Sequence, residues 1–134
     1  MEQVATGEVA RVFEVMSNEL STPKILCCPE DADHFPATNF SAGFSAKNIS
    51  YFIGVNAHES NPQMLLAGDD NFEIDGVPVK SGLINLTPNQ PISWSSTRHK
   101  LVGNVAVTDG SVQQLCTKGL RDCVTLATNR IAIP

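Results

Sequence analysis

No basic patch interleaved with aromatic residues occurs anywhere in the chain, and nine Lys and Arg stand against fourteen Asp and Glu for a net charge of −5. Nucleic acid is therefore not an expected partner. No apolar run approaches the roughly 20 residues that a membrane-crossing helix needs. Met1-Glu2-Gln3 is an acidic, polar start, unlike a secretory leader, which bounds only this chain. There is no Gly-x-Ser-x-Gly elbow, no phosphate-binding loop and no His-Glu-x-x-His helix. The commonest local signatures of hydrolases, nucleotide-binding proteins and zinc proteases are thus absent. Cys-x-x-Cys spacing, the usual mark of a structural zinc site, is missing too. Neither an internal repeat nor a low-complexity tract is found.

What is present is globular. At 134 residues, 42% hydrophobic and 17% charged, the chain suits one domain with its own core. Its acidity is uneven: residues 1–67 carry eight acids and three bases, residues 68–134 six of each. Four cysteines allow three fully paired connectivities in an oxidising compartment. Neighbours Cys27 and Cys28 would make a strained bridge. Cys116 and Cys123, if on one helix, lie about 10.5 Å apart along its axis. The expectation is buried thiols acting as small apolar residues, with a link from Cys28 to the C-terminal region as the alternative.

Apolar periodicity predicts a helix over 4–20, with Val9, Val12, Phe13, Met16 and Leu20 on one stripe and Pro23 ending it. Ile49–Val55 is β-branched and aromatic, a strand. Met64–Ala67 reads as a second strand, closed by Gly68-Asp69-Asp70-Asn71. Residues 72–79 alternate about an Asp75-Gly76 turn, and Pro78 puts that piece at an edge. Residues 80–97 are rich in Ser, Thr, Asn and Pro, with Trp94 as their anchor. Residues 104–108 and 111–115 read as a strand pair about Asp109-Gly110, where glycine supplies the positive φ of a two-residue hairpin turn. Leu120, Cys123, Val124 and Ala127 suggest a short helix, and Ile131–Pro134 an extended tail. Asn39, Asn48 and Asn85 each head an N-glycosylation tripeptide, a pattern that chance supplies in so Asn/Ser/Thr-rich a chain.

Of the histidines, His34 lies near Cys28 and Asp33 in an acidic loop, Glu30–His34, whose spacing is not that of an EF-hand and which reads as solvated. Nothing local marks Cys28 as an activated thiolate. His99 and Asp109 bracket one strand, and along roughly 30 Å of extended chain they cannot touch. Asp109 is expected to cap its turn and His99 to pack in the loop after Trp94. Asp69, Asp70 and Asp75 could offer an oxygen-rich calcium site, although paired aspartates also mark exposed turns.

A histidine, nine intervening residues and Asp-Gly between apolar strands resembles pilin-like type II secretion proteins of planctomycete and verrucomicrobial type. The match lies in His99 through Asp109 and Gly110. Ile25-Leu26-Cys27-Cys28-Pro29, Asn48–Gly54, Leu66-Ala67-Gly68-Asp69 and the closing Ala127–Pro134 stretch extend it over most of the chain after about residue 20. The resemblance implies an α+β, type IV pilin-like domain over 1–134: an amphipathic N-terminal helix, of which 1–22 is the remnant, packed on an antiparallel sheet in 23–134. It implies a non-enzymatic subunit of a pseudopilus or pilus-like filament on the periplasmic or extracellular face of the inner membrane. Its partners would be other pilin-like subunits and the secretion machinery. The prepilin leader and membrane half expected of such a subunit are not in this chain. No residue is assigned as catalytic or cofactor-binding. Calcium is the one ion the resemblance suggests; the family's ligand motif is not recognisable, and Asp69, Asp70 and Asp109 are the carboxylates available. The alternative is a small metal-dependent enzyme using Asp69, His99 and Asp109, or an extracellular ligand-binding or adhesin module.

Overall fold

Alternation decides the architecture. In Val102–Val107, Gly103, Val105 and Val107 are buried while Asn104 between them is exposed, as a strand with one face on a core requires. The computed structural model describes residues 9–41, 43–126 and 128–134. Among them are nine strands: β1 (Tyr51–Gly54), β2 (Leu65–Asp69), β3 (Phe72–Ile74), β4 (Val77–Pro78), β5 (Gly82–Leu86), β6 (Ile92–Trp94), β7 (Val102–Val107), β8 (Val112–Cys116) and β9 (Asn129–Ile133). They form a six-stranded sheet in the order β5-β9-β1-β2-β7-β8 and a three-stranded sheet in the order β4-β3-β6, every pairing antiparallel.

One core lies between the small sheet and one face of the large one. Phe52, Leu65, Phe72, Leu86, Ile92, Trp94, Val105, Val107, Ile131 and Ile133 fill it, joined by Leu120 and Val124 of helix α3 (Thr117–Leu126). The helices α1 (Val9–Val15) and α2 (Ser17–Leu20) precede it in the chain. Phe72 stands edge-on to Phe52 and to Trp94, with centroids 5.9 and 6.2 Å away. Each such pair contributes about 0.5–1.5 kcal/mol beyond its buried area. The Trp94 ring lies so close to Gly103 that a Cβ there would sit 2.4 Å from it. The opposite face of the large sheet carries a smaller cluster: Val9 and Val12 of α1, Leu26, Ile49, Ile53 and Ala132.

The α+β, pilin-like expectation is corrected here. The described residues are β-rich, with two antiparallel sheets and only short helices among them, and a long N-terminal helix organising a sheet is not shown. Of the helix predicted over 4–20, residues 4–8 lie outside the described residues. The rest is broken at Met16, whose φ of −95° and ψ of 13° leave the helical region. Apolar periodicity runs unbroken through this point, because a stripe records which face is buried and not whether the backbone stays continuous. Ser21, at φ 67°, ends α2, and Pro23 opens a 3-10 turn (Pro23–Leu26) capped by Thr22.

The Ser- and Asn-rich 80–97 stretch contains two strands, β5 and β6. The C-terminal tail is β9, an interior strand flanked by β5 and β1. The Asp75-Gly76 turn is the expected two-residue hairpin, with both φ values positive and Ile74 paired to Val77. The Asp109-Gly110 turn differs. Val107 N–H donates to Ser111 C=O and Gly110 N–H to Val107 C=O, so three residues connect the strands, and only Gly110 among them has positive φ, 91°.

Candidate functional site

Where β2 ends, its last residue and the two that follow stay buried instead of turning out to solvent: Asp69, Asp70 and Asn71 are 1, 9 and 7% exposed. The expectation of an exposed acidic turn therefore fails. The 30–34 loop is solvated at Glu30, Ala32 and Asp33 as expected, but Asp31 departs from that reading and is buried with the β2 end. Buried carboxylates need partners, and Arg98 supplies them. Its Nη2 lies 2.7 Å from Asp31 Oδ2 and 2.8 Å from Asp70 Oδ1, and its Nη1 donates to the Ser50 carbonyl at 3.0 Å. The three side chains are 6, 1 and 6% exposed.

Asp31 is the most heavily bonded group. Besides Arg98, its Oδ2 accepts from Ser50 Oγ at 2.7 Å and from His34 Nδ1 at 2.5 Å, while Oδ1 accepts from the Asp33 N–H at 2.9 Å. An ionised carboxylate only accepts, so His34 Nδ1 carries the proton in this contact. Burial pushes the Asp31 carboxyl up, but the bonds from Ser50, Asp33 and His34 and the charge of Arg98 outweigh it and hold it below its ordinary value. Asp70 goes the other way. Its burial dominates over the attraction of Arg98 and raises it to about 6. Burial alone would lower Arg98, but Asp70 and Asp31 raise it instead. The network borders a cleft of about 380 Å³ lined by Asp31, His34, Asp70, Asn71 and Arg98 together with Phe72 and Pro134. Both terminal nitrogens of the guanidinium are engaged within the fold.

A second group adjoins this one on the outer face of the large sheet. Tyr51 pairs with Asp69, and Asp69 stands beside Asn104 on β7. Asp69 Oδ2 accepts the Asn104 backbone N–H at 2.7 Å and its side-chain amide at 3.3 Å. His99 Nε2 lies 3.5 Å from the same oxygen and 3.4 Å from Cys28 Sγ. Cys28 is held in place by its own N–H, which donates to Ser50 Oγ at 2.9 Å. Burial raises the Cys28 thiol, and burial also pushes the Tyr51 hydroxyl up to about 12.

The residues singled out from sequence are thus divided. Asp69 and His99 meet. Asp70 turns instead to Arg98, and Asp109 stays exposed in its turn, where Oδ1 accepts the Ser111 N–H at 2.8 Å. Asp75 lies in the β3–β4 hairpin turn. Asp69, Asp70 and Asp109 therefore do not form one ligand set, nor do Asp69, His99 and Asp109. Cys28 faces His99 and not His34, and His58 bonds Ser60 Oγ at 2.8 Å in an exposed loop. All four thiols are free. Cys28 is buried as expected, whereas Cys116 is exposed on β8, not on a helix with Cys123. Sequence reasoning missed Arg98, Asp31 and Cys28. A local cue was an arginine directly before His99, the first charged residue after Lys80.

Fold and site together define a β-rich protein built of two antiparallel sheets, with an arginine-centred ion network sealing one end of the larger sheet. Comparison with protein-family models, with curated proteins and with solved structures finds no match to this chain.

Proposed function

We propose that the chain is a non-enzymatic structural subunit of a type II secretion pseudopilus or pilus-like filament, joined to like subunits on the outer side of the inner membrane. The observation that carries this reading is the outer edge of β8. Among the described residues no strand pairs with that edge, and four of its five residues are exposed, Val112 at 72%. Exposed edges of monomeric proteins are usually blunted by Lys, Pro or a bulge. β8 reads Val-Gln-Gln-Leu-Cys, with no charge and no proline, and it pairs with β7 in unbroken register. An open, neutral edge of this kind suits strand addition from a neighbour. Its partner strand, β7, lies within the His99–Gly110 stretch that bears the resemblance to secretion filament proteins. The engagement of Arg98 and Asp31 within the fold agrees with a structural role. No described helix is long and apolar enough to cross a membrane.

The test uses an epitope-tagged chain in its native host, with surface filaments sheared off and chemically cross-linked. The expected result is a multimer ladder containing the tag, lost on Val112→Lys, which places a charge on the edge while the soluble fold persists. A chain that stays out of the sheared fraction and forms no ladder refutes the reading.

A further inference from the structure

Three side chains from distant parts of the chain bring lone-pair atoms to one point: Cys28 Sγ, Asp69 Oδ2 and His99 Nε2. Their ligand atoms all lie within 4.8 Å of one another. The same ring nitrogen of His99 faces both the thiol, at 3.4 Å, and the carboxylate, at 3.5 Å. One nitrogen carries either a proton or a lone pair, so it satisfies at most one of these neighbours through an ordinary hydrogen bond. A cation between the three can take the place of the thiol proton, which is released to solvent, and bind thiolate, carboxylate and ring nitrogen together. We propose that Cys28, Asp69 and His99 form a binding site for a borderline-soft divalent cation of the zinc class.

The distances suit that ion. Bonds of about 2.0 Å to nitrogen or oxygen and about 2.3 Å to sulfur place tetrahedral ligands roughly 3.3–3.6 Å apart. The two edges from His99, 3.4 and 3.5 Å, fall in that interval, and the Cys28–Asp69 edge lies within 4.8 Å, so a small approach of thiol and carboxylate completes the set. The donor set argues for the same class. Thiolate and imidazole favour zinc or cobalt, whereas calcium and magnesium want oxygen throughout. The supporting shell is built as well. Asn104 fixes Asp69 with two donated hydrogen bonds, and Ser50 fixes the Cys28 backbone. The His99 side chain remains 21% exposed, which leaves the cluster a route to solution on that side. Three protein ligands leave a fourth position for water. The ion would clip three segments together: the loop after Leu26, the end of β2 and the turn entering β7. This site is independent of the β8 edge, so its failure leaves the filament reading untouched.

The test is metal titration of the full chain, freed of metal by chelation and kept reduced and oxygen-free. Cobalt(II) is expected to bind once per chain, with a near-ultraviolet thiolate-to-cobalt band and visible bands of tetrahedral intensity, both bleached by zinc. Calcium and magnesium should not compete. Cys28→Ser should abolish the near-ultraviolet band and Cys116→Ser should leave it. His99→Gln and Asp69→Asn should each weaken binding by at least about tenfold. A second readout needs no variant: zinc should slow alkylation of Cys28 in the wild-type chain by about tenfold or more while Cys116 reacts unchanged. Absence of a thiolate band, its survival in Cys28→Ser, or equal alkylation of Cys28 with and without zinc each overturns the proposal.

Discussion

Replacing Arg98 by Met keeps most of the side chain's volume and deletes its charge. The wild-type guanidinium contacts Asp31 at 2.7 Å, Asp70 at 2.8 Å and the Ser50 carbonyl at 3.0 Å. Its removal strands two carboxylates that are 1 and 6% exposed. Removing one partner of a buried pair costs about 3–5 kcal/mol, because the other charge stays desolvated. For a domain of this size that corresponds to a fall in Tm of about 10–20 °C. The penalty must depend on pH. Asp70 already sits at about 6, against 3.8 for the free carboxyl, because of burial. Losing the opposing attraction of Arg98 moves it higher still. An acid whose folded value is raised contributes stability below its unfolded value and loses it as pH rises through the folded one. The deficit of Arg98→Met is therefore greatest near neutral pH and shrinks toward about pH 5, where Asp70 is protonated. Urea denaturation followed by the fluorescence of Trp94 and by far-ultraviolet circular dichroism measures it. A deficit under about 1 kcal/mol near neutrality, or one that is equal or larger at about pH 5, refutes the reasoning. Neutralising both carboxylates as well, with Asp31→Asn and Asp70→Asn, should recover much of the loss.

Two further outcomes follow from the same geometry. Asp70→Asn removes a group that titrates from 3.8 unfolded to about 6 folded. The stability of wild type relative to this variant should fall by up to about 3 kcal/mol between about pH 4 and pH 7, and urea midpoints that move in the opposite sense would contradict the burial argument. Gly103→Ala drives a methyl into the Trp94 ring from a paired strand and should cost about 1–3 kcal/mol with an altered Trp94 emission. Unchanged stability and emission would mean that the ring is not pinned there.

Local chemistry was legible and long-range pairing was not. Ile49–Val55 announced β1 through β-branched and aromatic residues, and Asp75-Gly76 announced its hairpin because both residues suit positive φ. β5 and β6 were hidden, since Ser, Asn and Pro surround short apolar runs whose burial comes from β9 and β3, partners remote in sequence. The broken N-terminal helix shows the converse error, a strong period without a continuous backbone. Away from the site, Asp109 was correctly read as a turn cap, because an Asx bond is local. Asp31, Asp70 and Arg98 are separated by tens of residues, and no spacing rule connects them. Cys28, Asp69 and His99 likewise lack any short-range signature. They meet only because antiparallel pairing of β1, β2 and β7 brings Asp69 beside Asn104 and the entry to β7.

The interior position of β9 has a consequence for biosynthesis. β1, β2, β7 and β8 can pair among themselves as soon as they are made, but β5 touches the large sheet only through β9. Until Asn129–Ile133 has left the ribosome, β5 has no seat and β1 presents a bare, apolar edge containing Phe52 and Ile53. The last strand in the described order is thus the keystone of the sheet. An unpaired apolar edge of this kind favours association with other chains, and closure of the sheet waits on the emergence of Asn129–Ile133.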